Sequence, residues 1–341
     1  MSLLPSPEEL KIQFPSNDFP RAARSIAKQI LQGKDKRLVV IVGPCSIHDP
    51  KSALEYAKKL QSLSAQLNHS LFLIMRVFIE KPRSKTGWKG LIYDPYLDES
   101  NDLKAGLSIA RKLLVQLTEL SIPIAVELLE PLASSYFDDL ITWGIIGART
   151  CSSQPHRQMA SRLHFPIGFK NDLFGRIEPA IHGVFASQKP HSSMGINAAG
   201  RVCQIHSQGN PLTHLILRGS ENGSNYDPSF VSLALGEIKK YSLNPKLMID
   251  CSHGNSGKNL NRQKAAFLSV IEQAEYQEGI VGVMLESHLV GGKQPHDPGS
   301  LSYGLSITDP CLSWEETAAL LELAGTKRSP ASPISMSFVQ N

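Results

Sequence analysis

Four residues with the character of metal ligands, Cys45, His253, Glu286 and Asp309, stand at the end of an apolar run or in the loop just beyond one. So do six cations: Arg76, Lys81, Arg83, Arg149, Lys170 and Arg218. One thiol, one imidazole and two carboxylates make a donor set of intermediate softness, which suits Mn, Fe, Co or Zn better than Mg or Ca. Guanidinium forks take phosphate or carboxylate oxygens two at a time, so six gathered cations imply a substrate, or a pair of substrates, with several negative charges. Each residue type also has an ordinary reading. A buried Cys is commonly a packing residue, a His commonly a hydrogen-bonder, and Arg or Lys commonly solvate a face. What matters is whether the chain brings them together.

The runs that must do so are Leu38 to Gly43, Leu71 to Met75, Ile122 to Val126, Gly144 to Gly147, Pro166 to Phe169, Leu215 to Leu217, Leu247 to Ile249 and Ile280 to Leu285. They end on Cys45, Arg76, Glu127, Arg149, Lys170, Arg218, Asp250 with His253, and Glu286. Between them lie segments of helical periodicity: 52–67, 102–120, 134–142, 154–163, 177–186, 228–241, 261–277 and 313–323. Strand alternating with helix is the mark of parallel βαβ units, and eight rounds close a (β/α)8 TIM barrel. An open doubly wound sheet is the other arrangement that this alternation permits. A closed ring places all eight strand ends on one rim, where barrels carry their active sites.

Three segments fall outside the alternation. Residues 1–36 form an N-terminal extension with a helix expected over Pro20 to Leu31, suited to plugging the barrel floor or reaching a neighbouring subunit. The catalytic barrel is expected over 37–325, interrupted at 190–208 by a β-hairpin insertion before the sixth strand. Residues 326–341, rich in Ser and Pro, are expected to form a disordered tail.

Composition narrows the function classes. The 341 residues carry a net charge of +4 with no run of Lys or Arg, which argues against a nucleic-acid partner. No apolar stretch approaches the roughly 20 residues of a membrane span, and the first ten residues do not read as a signal sequence. Five widely spaced cysteines suit reduced thiols better than a disulfide framework. A cytoplasmic location is expected.

The motifs, taken in order, carry a resemblance. They are Gly43-Pro44-Cys45-Ser46-Ile47-His48-Asp49-Pro50, Met75-Arg76, Glu80-Lys81-Pro82-Arg83, Gly87-Trp88-Lys89-Gly90, Gly147-Ala148-Arg149-Thr150, Gly168-Phe169-Lys170-Asn171, Leu217-Arg218-Gly219, Asp250-Cys251-Ser252-His253, Glu286-Ser287-His288-Leu289 and Ser306-Ile307-Thr308-Asp309. Together they resemble the type I 3-deoxy-D-arabino-heptulosonate 7-phosphate (DAHP) synthases, nearly without gaps between residues 20 and 325. The resemblance implies a metal-dependent barrel that condenses phosphoenolpyruvate with erythrose 4-phosphate at the start of the shikimate pathway to the aromatic amino acids. The enzyme would be a carbon–carbon bond-forming transferase, 3-deoxy-7-phosphoheptulonate synthase, working as a homodimer or homotetramer.

By the same resemblance Cys45, His253, Glu286 and Asp309 are the metal ligands. Arg76, Ala148, Arg149, Lys170 and Arg218 match positions that hold phosphoenolpyruvate, and Lys81, Pro82, Arg83 and Ser84 those that hold erythrose 4-phosphate. Lys81, Glu127, Lys170 and Arg149 form the expected catalytic set, with Glu127 orienting a water and either Lys81 or a metal-bound water protonating the new alkoxide. The chain departs from the family pattern at Ser84, where Thr is usual, at Cys151-Ser152-Ser153, and at Asp172-Leu173-Phe174, where a small Gly-containing turn is usual. A sister synthase acting on arabinose 5-phosphate is the competing reading, and the Lys81-Pro82-Arg83-Ser84 segment argues against it.

Overall fold

The computed structural model describes residues 3–328. Eight parallel strands close into a barrel: β1 (Leu38–Gly43), β2 (Leu71–Arg76), β3 (Ile124–Glu127), β4 (Trp143–Ile146), β5 (Ile167–Lys170), β8 (Thr213–Leu217), β9 (Leu247–Asp250) and β10 (Ile280–Glu286), with β10 pairing back onto β1. Every residue of these strands is buried, as expected when one strand face meets the barrel interior and the other a layer of helices. Strands β6 (His191–Ile196) and β7 (Val202–Ser207) form the antiparallel hairpin between β5 and β8, with the alternating burial of a ribbon that covers only one side.

The outer layer consists of α3 (Pro50–Leu67), α4 (Leu103–Glu119), α5 (Ser134–Phe137), α6 (Gln154–Arg162), α7 (Glu178–Ser187), α8 (Pro228–Lys240), α10 (Leu260–Tyr276) and α11 (Trp314–Lys327), with a short α9 (His253–Ser256) on the rim. Several starts are written in the sequence. Asp49-Pro50 and Asp227-Pro228 pair a capping carboxylate with a proline whose missing N–H costs nothing at the first helical turn, and Ser313 with Glu316 forms a reciprocal capping box.

Two helices precede the barrel, α1 (Pro7–Gln13) and α2 (Phe19–Leu31). The first was not expected, although Ser6-Pro7-Glu8-Glu9 is itself a capping box that marks a helix start. The second plugs the barrel floor: Ala23, Ala27, Ile30 and Leu31 share one buried cluster with Val39, Ile41, Phe72, Ile74, Trp143, Met248 and Val281. Each fully buried Ile or Leu contributes about 1.5–3 kcal/mol, so this closure holds the ring from below.

Two expected boundaries differ. The helix expected over 134–142 stops at Phe137, because Asp138 and Asp139 turn out to meet Lys11 and Arg111 while Leu140 and Ile141 dive into the core. The tail was expected from residue 326, but Thr326 and Lys327 belong to α11; the rest of that expectation, residues 329–341, lies outside the described residues.

Arg111 ties these pieces together. Its fully buried guanidinium donates to Phe14 O at 2.9 Å, to Tyr136 O at 2.6 Å and to both oxygens of Asp139 at 2.8 and 2.7 Å. Removing one partner of a buried pair costs about 3–5 kcal/mol. Arg111→Met is therefore expected to lower the urea-unfolding free energy by about that amount, and a loss below about 1 kcal/mol would contradict this account.

Candidate active site

The strand ends place one cavity of about 440 Å³ at the barrel mouth. Arg76 closes β2, Glu127 closes β3 and Lys170 closes β5; Ala148 and Arg149 follow β4, Arg218 follows β8, and His253 opens α9. The loop beyond β2 contributes Lys81, Pro82, Arg83 and Ser84, and the loop beyond β10 contributes Asp309. All of these line the cavity, while Cys45 and Glu286 are buried behind it. The chain thus brings together every residue singled out by type and spacing.

A line of polar contacts runs through the mouth. Lys170 Nζ lies 2.6 Å from Asp250 Oδ2, which lies 2.9 Å from His253 Nδ1; His253 Nε2 is 3.6 Å from Glu286 Oε1, which lies 3.0 Å from Arg76 Nη2. Burial acts to raise the Asp250 carboxyl, yet His253 and Lys170 hold it well below the usual carboxylate range. Gln263 fixes the far end of the line: its side-chain amide donates to Glu286 O and accepts from Glu286 N, both at 3.1 Å.

Ligand atoms of Cys45, Glu286 and Asp309 lie within 4.8 Å of one another, and His253 adjoins them through Glu286. Lys81 Nζ sits 2.9 Å from Cys45 Sγ and 3.5 Å from Asp309 Oδ2, so an ammonium is the cation these donors share here. Lys258 Nζ holds the other Asp309 oxygen at 2.8 Å. Burial works to raise Asp309, but Lys81, Lys258 and His253 together keep its carboxyl far below the ordinary range. Burial and then Glu286 push the Cys45 thiol up, with Lys81 opposing. A largely buried donor cluster that already draws cations in fits a divalent ion.

The remaining cations suit anions. Arg76 is buried against Phe78, 3.6 Å from its ring centre, with Nε on Pro44 O and Nη2 on Cys45 O and Glu286, while buried Nη1 has no acceptor among the described residues. Arg218 is buried too; its Nη1 reaches Gly219 O at 3.4 Å and no carboxylate pairs with it among the described residues. Burial lowers its pKa, which marks a cation that a bound anion would relieve. Arg149 Nε donates to Ser84 Oγ at 2.9 Å, which links the β4 loop to the Lys81–Ser84 loop. Glu127 folds over Gly147, where an added Cβ would stand 2.2 Å from Oε1 and push the carboxylate out of this position.

Sequence reasoning missed several residues here. Lys258, Leu173, Ile307 and Thr308 also line the cavity. Asp250 was noticed at a strand end but given no part in the site. Three asparagines lash the strand ends: Asn171 Oδ1 accepts from Arg218 N and Asn225 Nδ2, and Asn255 Nδ2 donates to Asp250 O. Asn171 directly follows an apolar run, a signal too common to read as a site by itself, while Asn225 and Asn255 stand in rim segments with no such mark.

Eight cations line the cavity, Arg76, Lys81, Arg83, Lys85, Arg149, Lys170, Arg218 and Lys258, against the carboxylates of Glu127 and Asp309. Inorganic phosphate is expected to raise the thermal midpoint, by a stabilisation approaching about 2.7 kcal/mol at a hundredfold excess over its Kd. Thermal scans should show no such shift with sodium chloride at equal ionic strength, and Arg218→Ala should lose most of it. Equal shifts from both salts would mean that no anion is held.

Comparison with known proteins agrees with this geometry. The signature of the DAHP synthetase I family matches residues 13–322. The tyrosine-sensitive phospho-2-dehydro-3-deoxyheptonate aldolase of Salmonella typhimurium is 47% identical over 326 residues, 94% of this chain and 91% of that protein. The phospho-2-dehydro-3-deoxyheptonate aldolase of Corynebacterium glutamicum is 43% identical over 341 residues, 95% and 92% of the two chains. The solved structure of the phospho-2-dehydro-3-deoxyheptonate aldolase of Francisella tularensis superposes with a TM-score of 0.94 at 41% identity, covering 96% of this chain and 97% of that one. With its closed barrel and its clustered thiol, imidazole, carboxylates and cations, the chain belongs to the DAHP synthetase I family.

Proposed function

We infer that this chain condenses phosphoenolpyruvate with erythrose 4-phosphate to give DAHP and inorganic phosphate, the first step of the shikimate pathway. Family membership supports the reaction, and the observation that carries it is the cavity itself. Two groups of cations, joined by the Arg149–Ser84 hydrogen bond, face a donor cluster suited to a divalent ion. Two phosphorylated substrates need two such groups.

Cys45, His253, Glu286 and Asp309 are proposed to hold the ion, with Mn, Fe, Co or Zn suiting their mixed softness. When bound, the ion would supply Lewis-acid polarisation of the aldehyde oxygen. Arg76, Arg149, Lys170 and Arg218 would hold the phosphate and carboxylate of phosphoenolpyruvate, with Ala148 beside them, while Lys81, Pro82, Arg83 and Ser84 would hold erythrose 4-phosphate. Fixing both turns a two-substrate encounter into a near-attack arrangement.

C3 of phosphoenolpyruvate then bonds to the aldehyde carbon, and the carbonyl electron pair becomes an alkoxide. Lys81, kept as an ammonium by Cys45 and Asp309 although burial opposes the charge, stands ready to give that alkoxide its proton. Water adds at C2, and collapse of the adduct breaks the C2–O bond and releases phosphate. Glu127 suits the removal of the water's proton, since it lines the cavity and accepts no hydrogen bond among the described residues. The same reading includes a cytoplasmic location, in keeping with five free cysteines, and a homodimer or homotetramer, in keeping with the exposed Ile12, Met194 and Val202.

Phosphate release in the presence of both substrates should require a divalent ion, because loss of a Lewis acid costs several kcal/mol of barrier. Exhaustive chelation should abolish turnover, Mn should restore it, and His253→Ala should behave as the chelated protein does; full activity after chelation would end this reading. Arg218→Ala should raise the KM for phosphoenolpyruvate, and Arg83→Ala that for erythrose 4-phosphate, each by about 10–100-fold for a lost charged hydrogen bond. Equal effects of both variants on both substrates would overturn the assignment of the two subsites.

A further inference from the structure

The proposed chemistry gives no part to the buried carboxyl of Glu80, at the base of the Lys81–Ser84 loop. Its side chain joins three stretches of chain. Oε2 accepts the backbone N–H groups of Leu129 at 3.3 Å and Glu130 at 3.4 Å, while Oε1 lies 3.2 Å from Glu130 N and 3.4 Å from the Tyr93 hydroxyl. Glu80 directly precedes the Lys81–Ser84 segment, and Leu129 lies two residues beyond Glu127. The loop between is closed at its base by Lys81 N to Lys89 O at 2.8 Å and Ile92 N to Ile79 O at 3.2 Å. At Gly90, φ is +112°, and an added Cβ would stand 2.5 Å from Ile79 O. The backbone therefore closes the loop on itself, and Glu80 ties that base to the strand end carrying Glu127.

We propose that Glu80 is a positioning residue which, as a neutral acid, holds the Lys81–Ser84 loop in register with Glu127, so that its proton governs use of the phosphorylated aldehyde. This rests on the reaction proposed above. Burial pushes the Glu80 carboxyl up to about 8, with Glu130 and Glu127 adding to the rise and the two N–H donors opposing it. Oε2 meets only backbone N–H donors, so the proton belongs on Oε1, beside the Tyr93 hydroxyl, the one partner whose oxygen can also accept.

The surrounding groups favour the neutral form. On its own loop, Lys81 is turned toward Cys45 and Asp309, and Tyr93 is held un-ionised by burial and by Glu80. From the β3 loop come the carboxylates of Glu127 and Glu130. From α6 comes His156, whose Nε2 lies 2.7 Å from Leu129 O and whose pKa burial lowers. No cation pairs with Glu80 among the described residues, so its ionisation would bury a third negative charge near the carboxylates of Glu127 and Glu130. The two loops should part as it does so.

Steady-state kinetics in both substrates across the neutral-to-alkaline range test this. In the wild type the KM for erythrose 4-phosphate should rise several-fold as pH passes about 8, with a smaller change for phosphoenolpyruvate. Glu80→Gln keeps an oxygen for the N–H donors and an amide donor for Tyr93, so it should hold the neutral-pH KM and lose the rise. Glu80→Ala should raise the erythrose 4-phosphate KM by about tenfold at every pH. Should the alanine variant fail to fold, Glu130→Gln removes a like charge and should move the rise to lower pH.

A wild-type rise retained in Glu80→Gln, an unmoved rise in Glu130→Gln, or an equal increase of both KM values in Glu80→Ala would each overturn the proposal. A wild-type protein that consumes neither substrate would instead overturn the reaction, and the two failures are distinguishable because the wild type is measured first.

Discussion

Asp250 is the group on which the mouth of this barrel depends. Its side chain is fully buried at the end of β9, where an unpaired carboxylate would be untenable. Both oxygens are satisfied: Oδ1 accepts from Ser252 N at 3.0 Å and Ser252 Oγ at 2.5 Å, and Oδ2 meets Lys170 and His253. One buried charge thereby fixes two functional side chains from different elements. His253 also adopts φ +50°, a left-handed conformation uncommon for a non-glycine residue, and its ring is held on Asp250 as it leaves the strand for α9.

Around this group the polar network is built from amides that bear no charge. Asn171, Asn225 and Asn255 connect the ends of β5, β8 and β9, and Gln263 reads both backbone groups of Glu286. Neutral amides satisfy buried backbone groups without adding to the field, so the electrostatics of the cavity stay with the cations and the four donor residues. Under the proposed reaction the cavity holds two anions, and preorganisation of this kind offsets their mutual repulsion.

The cavity also accommodates two of the departures from the family pattern, at Asp172-Leu173-Phe174 and at Ser84. Asp172 Oδ1 accepts from Phe174 N and Arg176 N, Oδ2 meets Arg176 Nε at 2.6 Å, and Gly175 turns at φ +88°, so the Asp172–Arg176 loop is a closed turn. Leu173 brings an apolar side chain to a wall otherwise rich in cations, while Phe174 stays exposed under the Arg176 guanidinium. The hydroxyl of Ser84 keeps its link to Arg149, so replacing the usual Thr removes a methyl group and leaves the hydrogen bond.

How much of this was legible in the chain follows from the range of each interaction. The eight strands, their helices and the rim positions of Cys45, Arg76, Glu127, Lys170, Arg218, His253 and Glu286 were determined by apolar runs ending in ionisable residues, a pattern local enough to read without coordinates. The same holds for the caps at Asp49, Asp227 and Ser313. Only the tertiary structure decided that Lys81 lies between Cys45 and Asp309, that Lys258 takes the second Asp309 oxygen, and that Glu80 spans two loops. It likewise decided that α2 closes the floor and that the helix after β3 ends at Phe137. These depend on contacts between residues tens to hundreds of positions apart, whose geometry is set by ring closure and burial, and a charge or a helix end chosen by a distant partner leaves no periodic trace in the sequence around it.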